Sequence, residues 1–173
     1  LSKHHQKDIC SLKKVFSNPS KESFVITFDD GYKDNIFNVA PVMENLGLPY
    51  TIFITTDYIQ QNDKRYLSKD DVKELSKLDG VEIGSHSKTH PRLTNCSTQH
   101  IKEELLYSKR YLENLIGQDV DTFAYPHGDV NKKVKDLVHS SGYRYARTSL
   151  FDINKYTQDK LLLNSTEIWD TDN

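Results

Sequence analysis

The sequence predicts an α/β fold of parallel strands alternating with helices, and three observations carry that prediction. Short runs of β-branched and aromatic residues alternate with longer stretches of helical period. No internal repeat or low-complexity segment breaks the alternation. The residues with the strongest chemistry fall just after the apolar runs, where α/β sheets carry their sites. At 173 residues the chain has the size of one ordinary domain.

Taken in order, "SFVITF" (23–28) reads as a strand, and 34–47 follows as a helix with Ile36, Val39, Met43 and Leu46 on one face and Gly47 at its end. "YTIFIT" (50–55) is the next strand. The helix 68–78 opens on Ser68 with Asp71 three residues on, a capping-box pattern. "GVEIG" (80–84) is a short strand, and 97–117 is the longest helix, with Ile101, Leu105, Leu112, Leu115 and Ile116 along one side. "TFAY" (122–125) and "YRYART" (143–148) are strands around a helix over 130–142, and "KLLLNS" (160–165) is a last strand. Strand, helix, strand implies parallel βαβ units. About six or seven strands fit the length, so the sheet is either open and doubly wound or an incomplete barrel.

The composition excludes several classes of function. With 23 Lys and Arg against 25 Asp and Glu, a pI near 6.4 and the charges interspersed, the chain has no surface for nucleic acid. No apolar run approaches the ~20 residues of a transmembrane segment, and the polar start "LSKHHQKDIC" has no signal-like core. That start, without an initiator Met, is expected of a fragment of a longer protein. Residues 1–22 are expected to be an N-terminal extension and 23–173 the functional domain. Cys10 and Cys96 form no metal-type pair, and the compartment stays open.

Three groups of reactive residues follow strands: Asp29 and Asp30 after 23–28, His86 and His90 after 80–84, and "PHGD" (126–129) after 122–125. Two histidines one turn apart with a strand-end carboxylate form a two-His, one-carboxylate ligand set. Catalytic Zn²⁺ uses that set and keeps a position for water, and Co²⁺, Ni²⁺, Mn²⁺ or Fe²⁺ also suit it. Only one of the two aspartates is needed to complete it, which leaves the other free to act as general base. His4, His5, His100 and His139 read as solvated or structural, and Tyr107, Tyr111 and Tyr145 as packing or surface residues.

"TFDDGY", "HSKTH" and "FAYPHG" resemble, in order and separation, the first three motifs of the polysaccharide deacetylases of carbohydrate esterase family 4, the NodB homology domain. The resemblance covers 23–148. It implies a distorted, incomplete, TIM-like (β/α) barrel of about seven strands that removes N- or O-acetyl groups from a carbohydrate polymer in a metal-dependent reaction. By the same resemblance Asp29 is the catalytic base, Asp30, His86 and His90 are the metal ligands, and the backbone N–H of His127 is an oxyanion donor with its ring in the groove wall. Where the family's acid is missing, the His127 ring is the candidate substitute general acid, unless the acid lies outside this sequence. Tyr125, Pro126 and Gly128 would meet the acetylated carbohydrate. Two features depart from the family. Phe123 stands where many members carry an arginine that orients the base, and the family's final Leu-any-His falls on Leu163 and Asn164, which give no acid. A metal amidase or deformylase acting on a small molecule, and a non-catalytic glycan-binding domain, are the alternative readings.

Overall fold

The computed structural model describes residues 9–17, 23–61, 63–155, 157–166 and 168. Five strands form one parallel sheet: β1 (Thr27–Phe28), β2 (Tyr50–Ile54), β3 (Val81–Ser85), β4 (Thr122–Ala124) and β5 (Tyr145–Arg147). Their spatial order is the chain order, β1-β2-β3-β4-β5. A doubly wound sheet reverses its order at a switch point, so the unbroken order selects the barrel. The sheet curls into a half-barrel with helices outside it.

Among the described residues five strands pair in the sheet, against about seven expected. At the β5 edge, 160–165 pairs through a single bridge, Arg147 to Leu163. The cause is local: Asp159 accepts from Leu161 N through its side chain and from Leu162 N through its carbonyl, so the segment turns before it can extend. At the β1 edge a second bridge joins Ile9 to Phe24. Residues 9–16 lie against the sheet, with Leu12 buried, Lys13 N donating to Glu82 and Lys13 Nζ to Asp119 O.

Helices α1 (Ala40–Leu46), α2 (Thr56–Gln60), α3 (Lys69–Leu75), α4 (Thr98–Ile116) and α5 (Lys132–Ser140) connect the strands. A π-helical turn, Asn35–Val39, precedes α1. Pro41 at the start of α1 has no N–H to continue the regular ladder, which suits that irregular turn. Ser68 and Asp71 form the capping box that the sequence signals. The short α2 lies in a stretch too brief to show a period.

Side chains alternate across the sheet. Ile52, Ile54, Ile83 and Phe123 face the helices, where they join Val72, Leu75, Leu105, Val134 and Val138 in the main core. The opposite face is the barrel interior, where Phe53 and Ala124 pack with Leu12, Leu163, Val25 and Tyr145. Little space remains there: a Cβ at Gly84 would sit 2.5 Å from Phe53 Cδ1 and 2.8 Å from Thr122 Oγ1. Gly84→Ala therefore overpacks the interior, at a cost of about 2 kcal/mol and a fall in Tm of about 4–8 °C. An unchanged thermal melt would show that the interior is looser than this.

Candidate active site

The alternation that fills the interior also aims the reactive residues. Val25, Thr27 and Asp29 share one face, as do Gly84 and His86, and Tyr145 and Arg147. Each series ends, at the C-terminal end of its strand, on a charged or ligating side chain pointing into the mouth of the half-barrel.

Asp30 follows Asp29 without alternating away. Its φ is 67° and that of Gly31 is 76°, and Gly31 N donates back to Asp29 O at 2.9 Å. Two successive left-handed residues turn the chain, so both carboxylates reach one cavity. Asp tolerates this backbone region better than most residues, and glycine takes it freely.

The second and third segments are equally constrained. Ser87 and His90 have φ of 66° and 62°, which folds the loop so that the two histidine Nε2 atoms lie 3.1 Å apart. His86 is 2% exposed, and its Nδ1 lies 2.8 Å from Ala124 O. A carbonyl oxygen only accepts, so Nδ1 carries the proton and Nε2 presents its lone pair to the cavity. After β4 comes a one-turn 3-10 segment, Pro126–Gly128, in which His127 has φ 60°. The His127 ring centroid lies 4.5 Å from that of His90. Gly128 is required here, since a Cβ would fall 1.8 Å from Ser149 Oγ.

Asp30 Oδ1 lies 3.6 Å from His86 Nε2 and 3.4 Å from His90 Nε2. It is buried and without a hydrogen-bond partner. One ligand atom from each of Asp30, His86 and His90 falls within 4.8 Å of the other two. An orphaned buried carboxylate oxygen beside two imidazole nitrogens is costly in a protein interior, and a cation at their centre satisfies all three. The residues therefore fit a divalent metal. Burial lowers the pKa of both histidines, that of His90 to about 4 with His86 as the next cause, so both offer neutral nitrogens.

Asp29 differs from Asp30 in its partner. Arg147 donates to Asp29 Oδ1 through Nη2, and the pair forms a salt bridge. Burial pushes the Asp29 pKa up, but the Arg147 charge, with His86, the Arg147 hydrogen bond and His90, brings it below the usual carboxylate value. Arg147 was not expected from the sequence. It ends a strand at interior parity, as Asp29 and His86 do, and that was the signal available. Phe123, at the place of the missing arginine, is fully buried on the helix side, against Tyr125 and Tyr143.

The structure places two of the residues expected at the carbohydrate away from the mouth. Tyr125 is 1% exposed, and its hydroxyl donates to Leu161 O at 2.9 Å. Alternation sends Ala124 inward and Tyr125 outward beneath the helices. Pro126 is also buried, whereas His127 is exposed and Gly128 half-buried. Leu163 is buried and Asn164 is tied through its backbone to Asn154, so neither supplies an acid. Tyr145 stacks on Phe16 inside the barrel, and Tyr107 stacks on Tyr111 along α4. His4 and His5 lie outside the described residues.

A curled parallel half-barrel with two aspartates, two histidines and an arginine gathered at one rim defines a class of α/β-barrel domain with its chemistry at the strand C-termini. The polysaccharide deacetylase family model matches residues 16–146, and the chain belongs to that family. It is 31% identical over 131 residues to YxkH of Bacillus subtilis, covering 76% of this chain and 46% of that protein. It is 26% identical to the peptidoglycan-N-acetylglucosamine deacetylase PgdA of Listeria monocytogenes, over 80% of this chain and 28% of PgdA. The chain thus spans less than half of either relative. Among solved structures, the deacetylase PplD of Streptococcus pyogenes, in complex with acetate, superposes with a TM-score of 0.88 at 23% identity, over 95% of this chain and 77% of that one.

Tyr125→Phe should lower Tm by about 2–4 °C through loss of one buried hydrogen bond, with ligand affinity at the rim unchanged. Weakened binding of an amino-sugar oligomer in this variant would return Tyr125 to the groove.

Proposed function

We propose that this chain is the catalytic domain of a metal-dependent hydrolase that removes N-acetyl groups from an amino-sugar polymer. The observation that supports this most is the surroundings of Asp29. Its carboxylate is paired with Arg147, and its Oδ2 lies 3.9 Å from His86 Nε2, beside the three-atom ligand set. A site that only bound sugar would need no such base. The name of PgdA supports an N-acetylglucosamine polymer over an O-acetylated one.

Asp30, His86 and His90 would hold the cation, and zinc suits one carboxylate and two imidazoles. A divalent cation bound there supplies Lewis acidity, which lowers the pKa of water towards ~7 and polarises a carbonyl oxygen. Asp29 accepts the proton of the attacking water, and Arg147 keeps it ionised and aimed. As the water oxygen bonds to the acetyl carbon, the backbone N–H of His127 donates to the oxyanion. The C–N bond then breaks with its electron pair on nitrogen, and the His127 ring protonates the leaving amine. Acetate and a free amino sugar result.

Acetate release from an N-acetylglucosamine oligomer, lost on chelation and restored by zinc, is the primary test. Full metal content in a His86→Ala, His90→Ala double variant would sink the ligand assignment. Asp29→Asn should keep its zinc and lose at least ~10²-fold in kcat. Arg147→Met should lose ~10–100-fold, the cost of a misaimed base, again with zinc retained. Near-normal kcat in either variant would remove that residue from the mechanism.

The acid has its own measurement. His127→Phe should cost turnover of the amide substrate ~10²-fold or more and that of an aryl acetate far less, because a phenolate leaves without protonation. Equal losses on both substrates would reduce His127 to a wall of the groove.

A further inference from the structure

Helix α4 buries Ile101, Leu105 and Leu112 along one stripe, and the same stripe carries Glu104, which is 1% exposed. A carboxylate that deep requires partners. Glu104 Oε2 accepts from the backbone N–H groups of Lys88 and Thr89, at 2.9 and 2.8 Å, and Oε1 accepts from Thr89 Oγ1 at 2.8 Å. His100 Nε2, one turn earlier on α4, lies 3.7 Å from Oε1. All three donors belong to the loop between His86 and His90.

The other side of that loop is held by different groups. Thr56 N donates to Ser87 O and Asp57 N to Lys88 O, both from the start of α2. Thr55 Oγ1 donates to His86 O, and Ser87 Oγ accepts from His90 N. The loop's carbonyls thus face α2 while its N–H groups face Glu104. Between these two holds, Ser87 and His90 keep the positive φ values that bring the imidazoles together, a conformation that persists only where the surroundings over-determine it.

We infer that Glu104 is a positioning residue of the Asp30–His86–His90 centre, acting on the backbone between the two histidines without touching either ring. This rests on the metal-site reading above. Outer partners commonly orient a ligand through the second nitrogen of its imidazole. Here Ala124 O does so for His86, and Glu104 adds the path of the chain from one ligand to the next. Glutamine at position 104 keeps the shape but replaces the carboxylate by a neutral amide, so the Lys88 and Thr89 N–H groups lose a charged acceptor and the Thr89 hydroxyl has to reverse its role and accept from the amide N–H₂.

The test is zinc affinity, measured by chelator competition on the folded chain. Glu104→Gln should bind zinc ~10–100-fold more weakly, and amide hydrogen exchange at Lys88 and Thr89 should accelerate in the metal-free protein. Tyr125→Phe is the control, because it loses a buried hydrogen bond away from the loop and should melt earlier with zinc affinity unchanged. Should Glu104→Gln fail to fold, Thr89→Val removes only the hydroxyl donor and should weaken zinc binding several-fold. Wild-type zinc affinity in folded Glu104→Gln, or in Thr89→Val where that variant stands in, would overturn the inference. If the unaltered chain and a His86→Ala variant bind zinc equally poorly, the metal-site reading itself falls, while exchange at Lys88 and Thr89 still reports whether Glu104 holds the loop.

Discussion

In a parallel sheet every second side chain faces the same way, and once the sheet curls one of those directions becomes an interior. That constraint governs most of this molecule. The interior is narrow enough that Phe53 needs a glycine beside it, so long polar side chains have room only at the mouth, beyond the last ladder bonds. Asp29 and His86 follow β1 and β3 directly, and Arg147 is the last residue of β5. Asp29 and Arg147 also come from the two edge strands. Their ion pair spans the open side of the half-barrel and joins edges that no hydrogen-bond ladder connects.

Local backbone strain is concentrated at the same rim. Among the described residues, the non-glycine positions with positive φ are Asp30, Ser87, His90 and His127, and every one belongs to the site. Such conformations cost on the order of 1–3 kcal/mol each and need compensation nearby. Asp30 is followed by a glycine that continues the turn, Ser87 and His90 are fixed by Glu104 and α2, and His127 is flanked by Pro126 and Gly128 in a 3-10 turn closed by Gly128 N donating to Tyr125 O. The compensation comes from elements in the helical layer as well as from the strands, so the outer layer helps to set the shape of the rim.

Much of this was legible in the sequence. The alternation of β-type runs with helical periods gave the five strands and the four longer helices, and the position of Asp29, Asp30, His86, His90 and His127 after apolar runs gave the rim. Short or turned elements were not legible: α2 is five residues long, and 160–165 has strand-like composition but is turned by the Asp159 side chain. Glu104 was hidden for another reason. A charged residue on a helix reads as solvated, and its burial depends on a loop 15 residues earlier supplying two N–H donors. Tyr125 could have been placed by parity, because counting from Ala124 fixes which face it takes.

Arg147 shows how a local motif and a site can diverge. A guanidinium beside Asp29 requires a long cation on the interior face at the mouth, and nothing in that requirement specifies a strand. Phe123 lies on the wrong face and is fully buried, so it cannot meet it. Its neighbour Ala124 has the right face, and in the sheet it is the register partner of Arg147. The two Cβ atoms therefore stand side by side over one small volume, already bounded by Phe53, above whose ring the guanidinium sits at 5.3 Å. A methyl group on β4 leaves that volume to the long side chain on β5, and a second long side chain there would exclude it. The small residue on β4 and the arginine 23 positions later are thus one solution, in which a cation reaches Asp29 from β5.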